Sequence, residues 1–243
     1  TEISDEVRAA KLVEEIVRDR GGIDLAIASL GGWWRGPDLV DLSADRRFDD
    51  AWAYGLPELH RARIAGATRI ANPGCYATAM QLALAPLMPH CGGTPAVFGV
   101  SGYSGAGSTP NPRNDVARLS DNLMPYKLVG HNHEREATRH LGAPVRFFPH
   151  VHPAFRGLLV TAHVPLNAPM TREDVTALFE QKYAAEPLIA LQAEPPELKD
   201  GANRPGVVIG GFDVGVDGRS AVVVAAEDNL LKGAAVQAVQ NLN

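Results

Sequence analysis

The sequence has few cysteines, no long apolar run and no excess of positive charge, and each absence excludes a class of protein. Two cysteines in 243 residues are too few for a disulfide framework, so we expect a reducing compartment and a cytoplasmic protein. No apolar run approaches the roughly 20 residues of a membrane span, and the acidic first residues do not resemble a signal peptide. A net charge of −5 offers no surface for nucleic acid or an anionic membrane, which leaves a small molecule as the expected partner.

The alternation of helical and strand patterns predicts an α/β protein with one large domain or two smaller ones. Near the start, Ser4 can cap a helix over about 5–18, and strands are predicted over 23–28 and 38–42. The glycine-rich connector 31–36 carries two adjacent tryptophans without periodicity. It is either a lid or a junction between two segments that are not neighbours in the natural protein.

The segment 72–79 turns from a loop into an apolar helix and puts Cys75 at the first turn. Unpaired N–H groups and the positive end of the helix dipole favour a thiolate there, so the pKa of Cys75 is expected to fall below about 8.5. Cys75 is therefore a candidate nucleophile, and the alternative is a small buried core residue. Cys91 lies in a Pro/Gly-rich turn and is expected to be inert. The apolar stripe of the helix is expected at residues 77, 79, 82, 83 and 87.

A second candidate site is the loop 101–108, which follows a predicted strand over 96–100. Its three glycines and three serines would let successive backbone N–H groups converge on an anion or a carbonyl oxygen. The alternative is an ordinary flexible turn.

Polar side chains are densest at the start of a helix predicted over about 131–141 and ended by Gly142. His131 or His133 could act as a base, and Glu136 could be the carboxylate that fixes the tautomer of the ring. The alternative is a solvated helix start, where acidic residues are favourable in any case.

His150 and His152 form a second His-x-His pair, but neither pair has further ligands at a familiar spacing, so no metal site is predicted. The rest of the chain predicts a sheet with covering helices. The expected elements are strands over 145–151, 158–166, 188–191, 206–216 and 219–226, a helix over 171–183, a hairpin turn at Asp217-Gly218, and a last helix within 228–239.

Three of these motifs together resemble those of the N-acetyl-gamma-glutamyl-phosphate reductases of arginine biosynthesis. They are Asn72-Pro73-Gly74-Cys75-Tyr76-Ala77-Thr78, Val100-Ser101-Gly102-Tyr103-Ser104-Gly105-Ala106-Gly107 and Gly130-His131-Asn132-His133-Glu134-Arg135-Glu136, supported by matches at 40–45, 54–58, 149–151 and 228–235. The resemblance implies a homo-oligomer with a Rossmann-like NADP domain of residues 1–74 and 228–243. It also implies a mixed-sheet catalytic domain of residues 75–227, with the final helix returning to the first domain.

The resemblance implies NADPH-dependent reduction of N-acetyl-L-glutamyl 5-phosphate to the semialdehyde and phosphate, with Cys75 carrying a thioester. His131 is the expected acid/base, His133 is the fallback, Glu136 would orient the pair, and Tyr126 matches an active-site tyrosine of the family. The substrate and its phosphate are expected to contact Asn72, Arg113 and Arg135, with Lys127 and Arg156 as further available cations.

The resemblance also implies six residues beside the NADP cofactor. Ser104, Gly105 and Ala106 should lie near the nicotinamide. Asn229, Lys232 and Gly233 should approach the cofactor from the terminal helix. However, no G-x-G-x-x-G turn for the dinucleotide phosphates occurs before Ser43. We therefore expect the natural protein to carry an upstream segment that these 243 residues lack. An intact mass equal to 25.9 kDa for the purified natural protein would contradict this expectation.

Alternatives from other classes stay open. Cys75, His131 and Glu136 could form the triad of a cysteine hydrolase, which would need no cofactor. The missing phosphate turn would also suit a regulatory or binding relic that has lost its cofactor. Among reductases, enzymes for aspartyl or aminoadipyl phosphates share the chemistry, and the sequence separates them only by the overall match of motifs.

Overall fold

The structure is a computed structural model that describes residues 39–241, in which a three-stranded and a seven-stranded sheet are covered by helices. The helix predicted over 5–18, the strand over 23–28 and the connector 31–36 lie outside the described residues. The predicted α/β class with a mixed sheet is confirmed. None of the helices in the described part is both long and apolar enough to cross a bilayer.

The elements are numbered here in chain order. The strands are β1 (Leu39–Asp41), β2 (Ala53–Tyr54), β3 (Arg69–Ala71), β4 (Ala96–Gly102), β5 (Met124–Pro125), β6 (Arg146–His152), β7 (Leu158–Pro165), β8 (Ile189–Gln192), β9 (Val207–Val214) and β10 (Ser220–Glu227). The helices are α1 (Pro57–Ile64), α2 (Cys75–Leu84), α3 (Val116–Leu119), α4 (Asn132–Leu141), α5 (Arg172–Tyr183), α6 (Leu198–Gly201) and α7 (Val236–Gln240), which a π-helical turn (Leu231–Ala235) precedes.

The small sheet brings the chain to the cysteine. Its strands are all parallel, in the order β1-β3-β2, as the pattern over 38–42 predicts for a parallel sheet. Strand β3 ends at Ala71, and α2 begins four residues later at Cys75. Cys75 therefore lies beyond the carboxyl edge of a parallel sheet, where open α/β sheets bind their ligands.

The large sheet has the order β5-β6-β4-β7-β10-β9-β8 and pairs its strands both parallel and antiparallel. One of its faces packs against α2 and α5, and the core includes Val97, Phe147 and Phe179. The predicted hairpin is confirmed, since β9 and β10 pair antiparallel around the turn at Gly218, whose φ is +71°. Phe98 and Phe148, directly opposite each other on β4 and β6, lie on the other face and are 39% and 41% exposed.

Helix α2 is more deeply buried than a surface helix. The expected stripe is buried, but so is every other residue of the helix except Cys75. This happens because β7 and β10 cover one side of α2 while α4 and the terminal turn cover others. A helix that is apolar all round, as this one is, belongs inside a protein.

The observed bounds of the glycine-rich loop and of the last helix differ slightly from the predicted ones. Ser101 and Gly102 belong to β4 because they pair with β6 and β7, so the glycine-rich loop begins two residues later, with a short 3₁₀ helix over Tyr103–Ala106. The last helix begins at Leu231, one residue after the start expected from Asp228-Asn229 leading into Leu230, and the Asp228 side chain accepts hydrogen bonds from the N–H groups of Leu230 and Leu231. The prediction that this helix returns to the first part of the chain is confirmed by hydrogen bonds from Gln237 and Asn241 to Gly55.

Candidate functional site

A cavity of about 240 Å³ lies where three elements meet: the start of α2, the end of β4 with its following turn, and the start of α4. Its walls carry a thiol, two imidazoles, two phenols and two cations. They are Cys75, His131, His133, Tyr76, Tyr126, Arg113 and Lys127, together with Ser101, Gly102, Gly105, Ala106, Asn132 and Val151. Residues from distant parts of the sequence therefore meet in one space, as the motif analysis predicts for most of them.

Cys75 is the first residue of α2, as predicted, but its thiol is not acidic. Burial, followed by the negative charge of Glu227, raises the pKa of Cys75 to about 12. A hydrogen bond from the backbone of Tyr76 and the charge of Arg47 act in the opposite direction and are outweighed. The expectation that the helix start lowers the pKa of Cys75 is therefore wrong for the protein as described, because desolvation is the larger effect.

The loop before Cys75 is fixed by Glu136. The Glu136 carboxylate accepts hydrogen bonds from the backbone N–H of Gly74 (2.9 Å) and from the hydroxyl of Tyr54 (2.7 Å). It also pairs with Arg47 at 3.3 Å, and Arg47 donates to the backbone oxygen of Asn72 at 2.8 Å. The expected role of Glu136 in orienting a histidine is corrected, because its carboxylate contacts the cysteine loop, Tyr54 and Arg47 instead.

Arg47 and Tyr54 are the residues of this network that the sequence analysis missed. They precede Glu136 by 89 and 82 positions and belong to no motif that carries chemistry on its own. Tyr54 lies within the match at 54–58, which is the one signal that could have indicated it.

His131 caps α4, and this contact assigns its tautomer. Its Nδ1 accepts a hydrogen bond from the backbone N–H of His133 at 3.1 Å, so the neutral ring carries its proton on Nε2. Burial, and then the positive charges of Lys127 and Arg113, lower the pKa of His131 to about 4. At neutral pH, His131 is thus a neutral ring that can donate a hydrogen bond from Nε2.

His133 and Tyr126 flank His131. The ring centroids of His131 and His133 are 4.9 Å apart, and those of His131 and Tyr126 are 5.5 Å apart. Burial, with the nearby His131, lowers the pKa of His133 well below its usual value, and its buried Nδ1 has no hydrogen-bond partner within residues 39–241. Burial also raises the pKa of Tyr126, whose ring lies 5.1 Å from the Arg113 guanidinium.

Comparison with known proteins identifies a family whose profile covers the cavity residues. A profile of the family described as semialdehyde dehydrogenase, dimerisation domain, matches residues 75–229. The chain belongs to this semialdehyde dehydrogenase family. The matched region begins at Cys75, ends at Asn229 and contains every residue that lines the cavity.

Relatives in the semialdehyde dehydrogenase family are close in sequence. An N-acetyl-gamma-glutamyl-phosphate reductase of Xanthomonas campestris is 58% identical over 205 residues, which cover 84% of this chain and 65% of the relative. A Neurospora crassa protein named "Protein arg-6, mitochondrial" is 55% identical over 206 residues, 84% of this chain but 24% of that protein. The chain thus spans about two thirds of the bacterial relative and a quarter of the fungal one.

Solved structures of semialdehyde dehydrogenases share the fold. Aspartate semialdehyde dehydrogenase II of Vibrio cholerae superimposes with a TM-score of 0.69 at 23% identity, covering 84% of this chain and 70% of that one. The Francisella tularensis aspartate semialdehyde dehydrogenase also gives 0.69, at 17% identity, with 96% and 78% covered.

The expected cofactor residues divide into two groups. Gly105 and Ala106 line the cavity, and Ser104 accepts a hydrogen bond from the Asn229 amide at 2.9 Å. Gly233 packs directly on the cysteine, since a Cβ added there would lie 2.6 Å from the Cys75 Cβ. The expectation that Lys232 contacts the cofactor is corrected. Its side chain is fully buried and pairs with Glu58 at 2.7 Å, so it does not face the cavity.

Two of the expected substrate residues also lie elsewhere. The buried Asn72 side chain donates to the backbone oxygen of Ala234 (3.2 Å) and accepts from Asn241 (3.1 Å), so it joins the cysteine loop to the terminal helix. The exposed Arg135 lies over the ring of Phe48, outside the cavity walls. The expectation that Asn72 and Arg135 contact the substrate is therefore corrected, because both contact other parts of the protein instead. Arg113 does line the cavity.

The second histidine pair makes local contacts. His150 Nδ1 lies 3.0 Å from the Phe148 backbone oxygen, and His152 Nδ1 accepts from the N–H of Ala154 at 3.1 Å. Among the described residues no group of three His, Cys, Asp or Glu side chains is arranged to hold a metal ion.

Proposed function

We propose that this chain is the catalytic portion of an NADPH-dependent N-acetyl-gamma-glutamyl-phosphate reductase, which forms N-acetyl-L-glutamate 5-semialdehyde and phosphate in arginine biosynthesis. The observation that carries the proposal is the meeting of Cys75, His131 and Tyr126 in one cavity. The name of the 58% identical relative supports the choice of acyl group over aspartyl or aminoadipyl phosphates.

Cys75 would first lose its thiol proton to a neighbouring base or to solvent, and the thiolate would then attack the acyl carbon of the substrate. Phosphate would leave with the electron pair of the broken C–O bond. The Nε2–H of His131 would donate a hydrogen bond to the acyl oxygen, which gains negative charge as the carbon becomes tetrahedral. When the reduced acyl group leaves, the C–S bond breaks and returns the electron pair to sulfur. His133, 4.9 Å from His131 between ring centroids, is the second candidate for moving protons.

The chain's own residues fit a nicotinamide on the side of the cavity formed by the turn 103–106. Gly105 is exposed, and a Cβ added there would meet Ser101 Oγ at 3.1 Å, so its lack of a side chain keeps the surface flat. Beside it, the buried Asn229 amide donates to Ser104 Oγ and accepts from the Gly157 N–H, both at 2.9 Å, so Asn229 holds the turn in place. When bound, the nicotinamide supplies the hydride that reduces the acyl group. We propose NADP rather than NAD from the family resemblance.

Arg113 and Lys127 are the proposed partners of the anionic substrate groups. Both line the cavity, and Lys127 holds a left-handed backbone conformation with φ of +40°. A non-glycine residue in this region is strained, which is typical of functional sites. The guanidinium of Arg113 suits bidentate contact with a phosphate or carboxylate.

We further propose a cytoplasmic homo-oligomer. The name of the matched family contains the word dimerisation, and the outer face of the large sheet carries the half-exposed Phe98 and Phe148 side by side. Apolar rings in a row on a sheet face are typical of an interface. Two free cysteines are consistent with a reducing compartment.

The test is an oxidation assay with the full-length natural protein. N-acetyl-L-glutamate 5-semialdehyde and phosphate or arsenate should drive NADP reduction, and aspartate 4-semialdehyde should be a much poorer substrate. Turnover with aspartate semialdehyde instead would change the acyl group in the proposal. Cofactor-independent ester or amide hydrolysis would support the cysteine hydrolase, and absence of NADP binding in calorimetry would support the relic.

A further inference from the structure

Glu227 is a buried carboxyl group beside the reactive cysteine. It is the last residue of the interior strand β10, and its side chain is completely buried. Neither of its carboxyl oxygens has a hydrogen-bond partner within residues 39–241. An ionised carboxylate in such surroundings is costly, because no hydrogen-bond donor among the described residues replaces its lost solvation.

Gly233 brings Glu227 and Cys75 together. A Cβ added at Gly233 would lie 2.6 Å from the Cys75 Cβ and 2.9 Å from Glu227 Oε1. The two side chains therefore approach each other across the space that a side chain at 233 would fill. The charge of Glu227 is accordingly the largest electrostatic influence on the Cys75 thiol after burial itself.

Lys232 is the one cation among the described groups that act on Glu227, and its ammonium group is hydrogen-bonded to other residues. Lys232 Nζ donates to Glu58 at 2.7 Å and to Gln240 at 2.6 Å. Asp228 and Glu58 add negative charge around Glu227, and together with burial they outweigh Lys232 and raise the pKa of Glu227 well above its usual value. On the cysteine side, Arg47 favours the thiolate and Glu136 opposes it.

We propose that Glu227 is a further functional residue of the Cys75 site: its carboxyl group holds a proton whenever the thiol is ionised, so that the thiolate forms beside a neutral group. Ionisation removes a proton from Sγ, and Glu227 either takes that proton or already holds one from solvent. In both cases the pair carries one negative charge and never two. Glu227 thus acts through Cys75 and does not touch the substrate.

The physical reason is the cost of two adjacent buried anions. With Glu227 neutral, Cys75 ionises against burial and the smaller effect of the Glu136 charge, helped by Arg47 and the backbone of Tyr76. With Glu227 charged, the repulsion is added to this cost, and the thiolate is rarer at any given pH. For the proposed reductase, on which the functional meaning of this inference rests, a charged Glu227 would suppress the nucleophile.

The test compares thiol alkylation in the natural full-length protein and in its Glu227→Gln variant from pH 6 to 10. Iodoacetamide reacts with the thiolate, and peptide mass spectrometry reports Cys75 and Cys91 separately, so Cys91 beside Gly93 is an internal control. At low pH, where Glu227 is neutral, both proteins should react alike at Cys75. Above the raised pKa of Glu227, the variant should react at least about tenfold faster, because its neutral Gln cannot repel the thiolate.

A rate ratio at Cys75 that is constant over this pH range, or that Cys91 or a Glu186→Gln control reproduces, would overturn the inference. Should the variant not fold, the natural protein alone decides. Its Cys75 rate should rise less than tenfold per pH unit where Glu227 loses its proton, and an unbroken tenfold rise per unit would reject the coupling. Alkylation needs neither substrate nor cofactor, so an inactive protein with the expected ratio would refute the proposed function and leave this inference standing.

Discussion

Cys75 combines a helix start with a partly buried position in the cavity wall, and the two act on its thiol in opposite directions. The backbone of Tyr76 stabilises the thiolate, while desolvation and Glu227 destabilise it and prevail. The helix start therefore supplies position more than acidity: it aims the thiol at a cavity that also holds His131 and Tyr126.

Replacing Cys75 with Ser should abolish phosphate-dependent oxidation of the semialdehyde. A serine hydroxyl fills the same space but is a far weaker nucleophile at neutral pH. The measurement is NADPH formation at saturating substrate, with the melting temperature as the control for folding. Near-normal turnover by the variant would refute the covalent step.

Replacing His131 with Asn should lower kcat by about 10²–10⁴-fold, the range expected for loss of a group that assists proton transfer. The substitution is informative because Asn is a good N-cap and can still accept the hydrogen bond from the His133 N–H. The helix should therefore keep its start while the imidazole is lost. If His133→Asn reduces kcat by as much or more, the role belongs to His133 instead.

The elements around the site show which parts of a sequence carry local information and which do not. Helices α2, α4 and α5 and the β9–β10 hairpin follow from apolar period, caps and turn residues close to them in sequence, such as the Thr171–Asp174 capping box. The partners of Glu136 and the effect of Glu227 on Cys75 depend on tertiary contacts. No pattern near Cys75 indicates a carboxylate at the end of β10, so the sequence predicts a more acidic thiol than the fold allows.

Replacing Glu136 with Gln should destabilise the protein by roughly 3 kcal/mol, since it leaves the buried Arg47 without its counter-charge. It should also lower kcat, because Gly74 loses part of its anchor. Urea denaturation followed by circular dichroism measures the first effect.

The matched control for Glu136 is the surface pair of Arg139 and Asp50, whose side chains are 38% and 90% exposed. Arg139→Ala should cost less than about 1 kcal/mol, as surface ion pairs do. Equal losses at the two sites would show that Glu136 acts as an ordinary surface charge.

At the scale of the whole molecule, the terminal helix ties the small sheet to the large one. Lys232 reaches Glu58, Gln237 reaches Gly55, and Asn241 reaches both Gly55 and Asn72. These contacts are buried, so they fix the relation between the sheet that leads to Cys75 and the sheet that supplies the opposite wall of the cavity.

The outer face of the large sheet gives a prediction about assembly. Replacing Phe98 and Phe148 together with Ser should lower the molar mass measured by light scattering during gel filtration, because the two rings are the apolar centre of the proposed interface. The control is Val216→Ser in the β9–β10 turn, where an equally apolar but fully exposed side chain is removed. An unchanged mass for the double variant would move the interface elsewhere.

The long span between Asn72 and Asn241, 169 positions, has a consequence for biosynthesis. While the ribosome is still translating the segment after β10, the nascent chain already contains Cys75, His131, His133 and the whole large sheet. It lacks Ala234 and Asn241, which hold Asn72 of the cysteine loop from the terminal helix. Nucleophile and acid/base groups therefore exist for some time without a finished site. The complete site should therefore form only after residue 241 has left the exit tunnel.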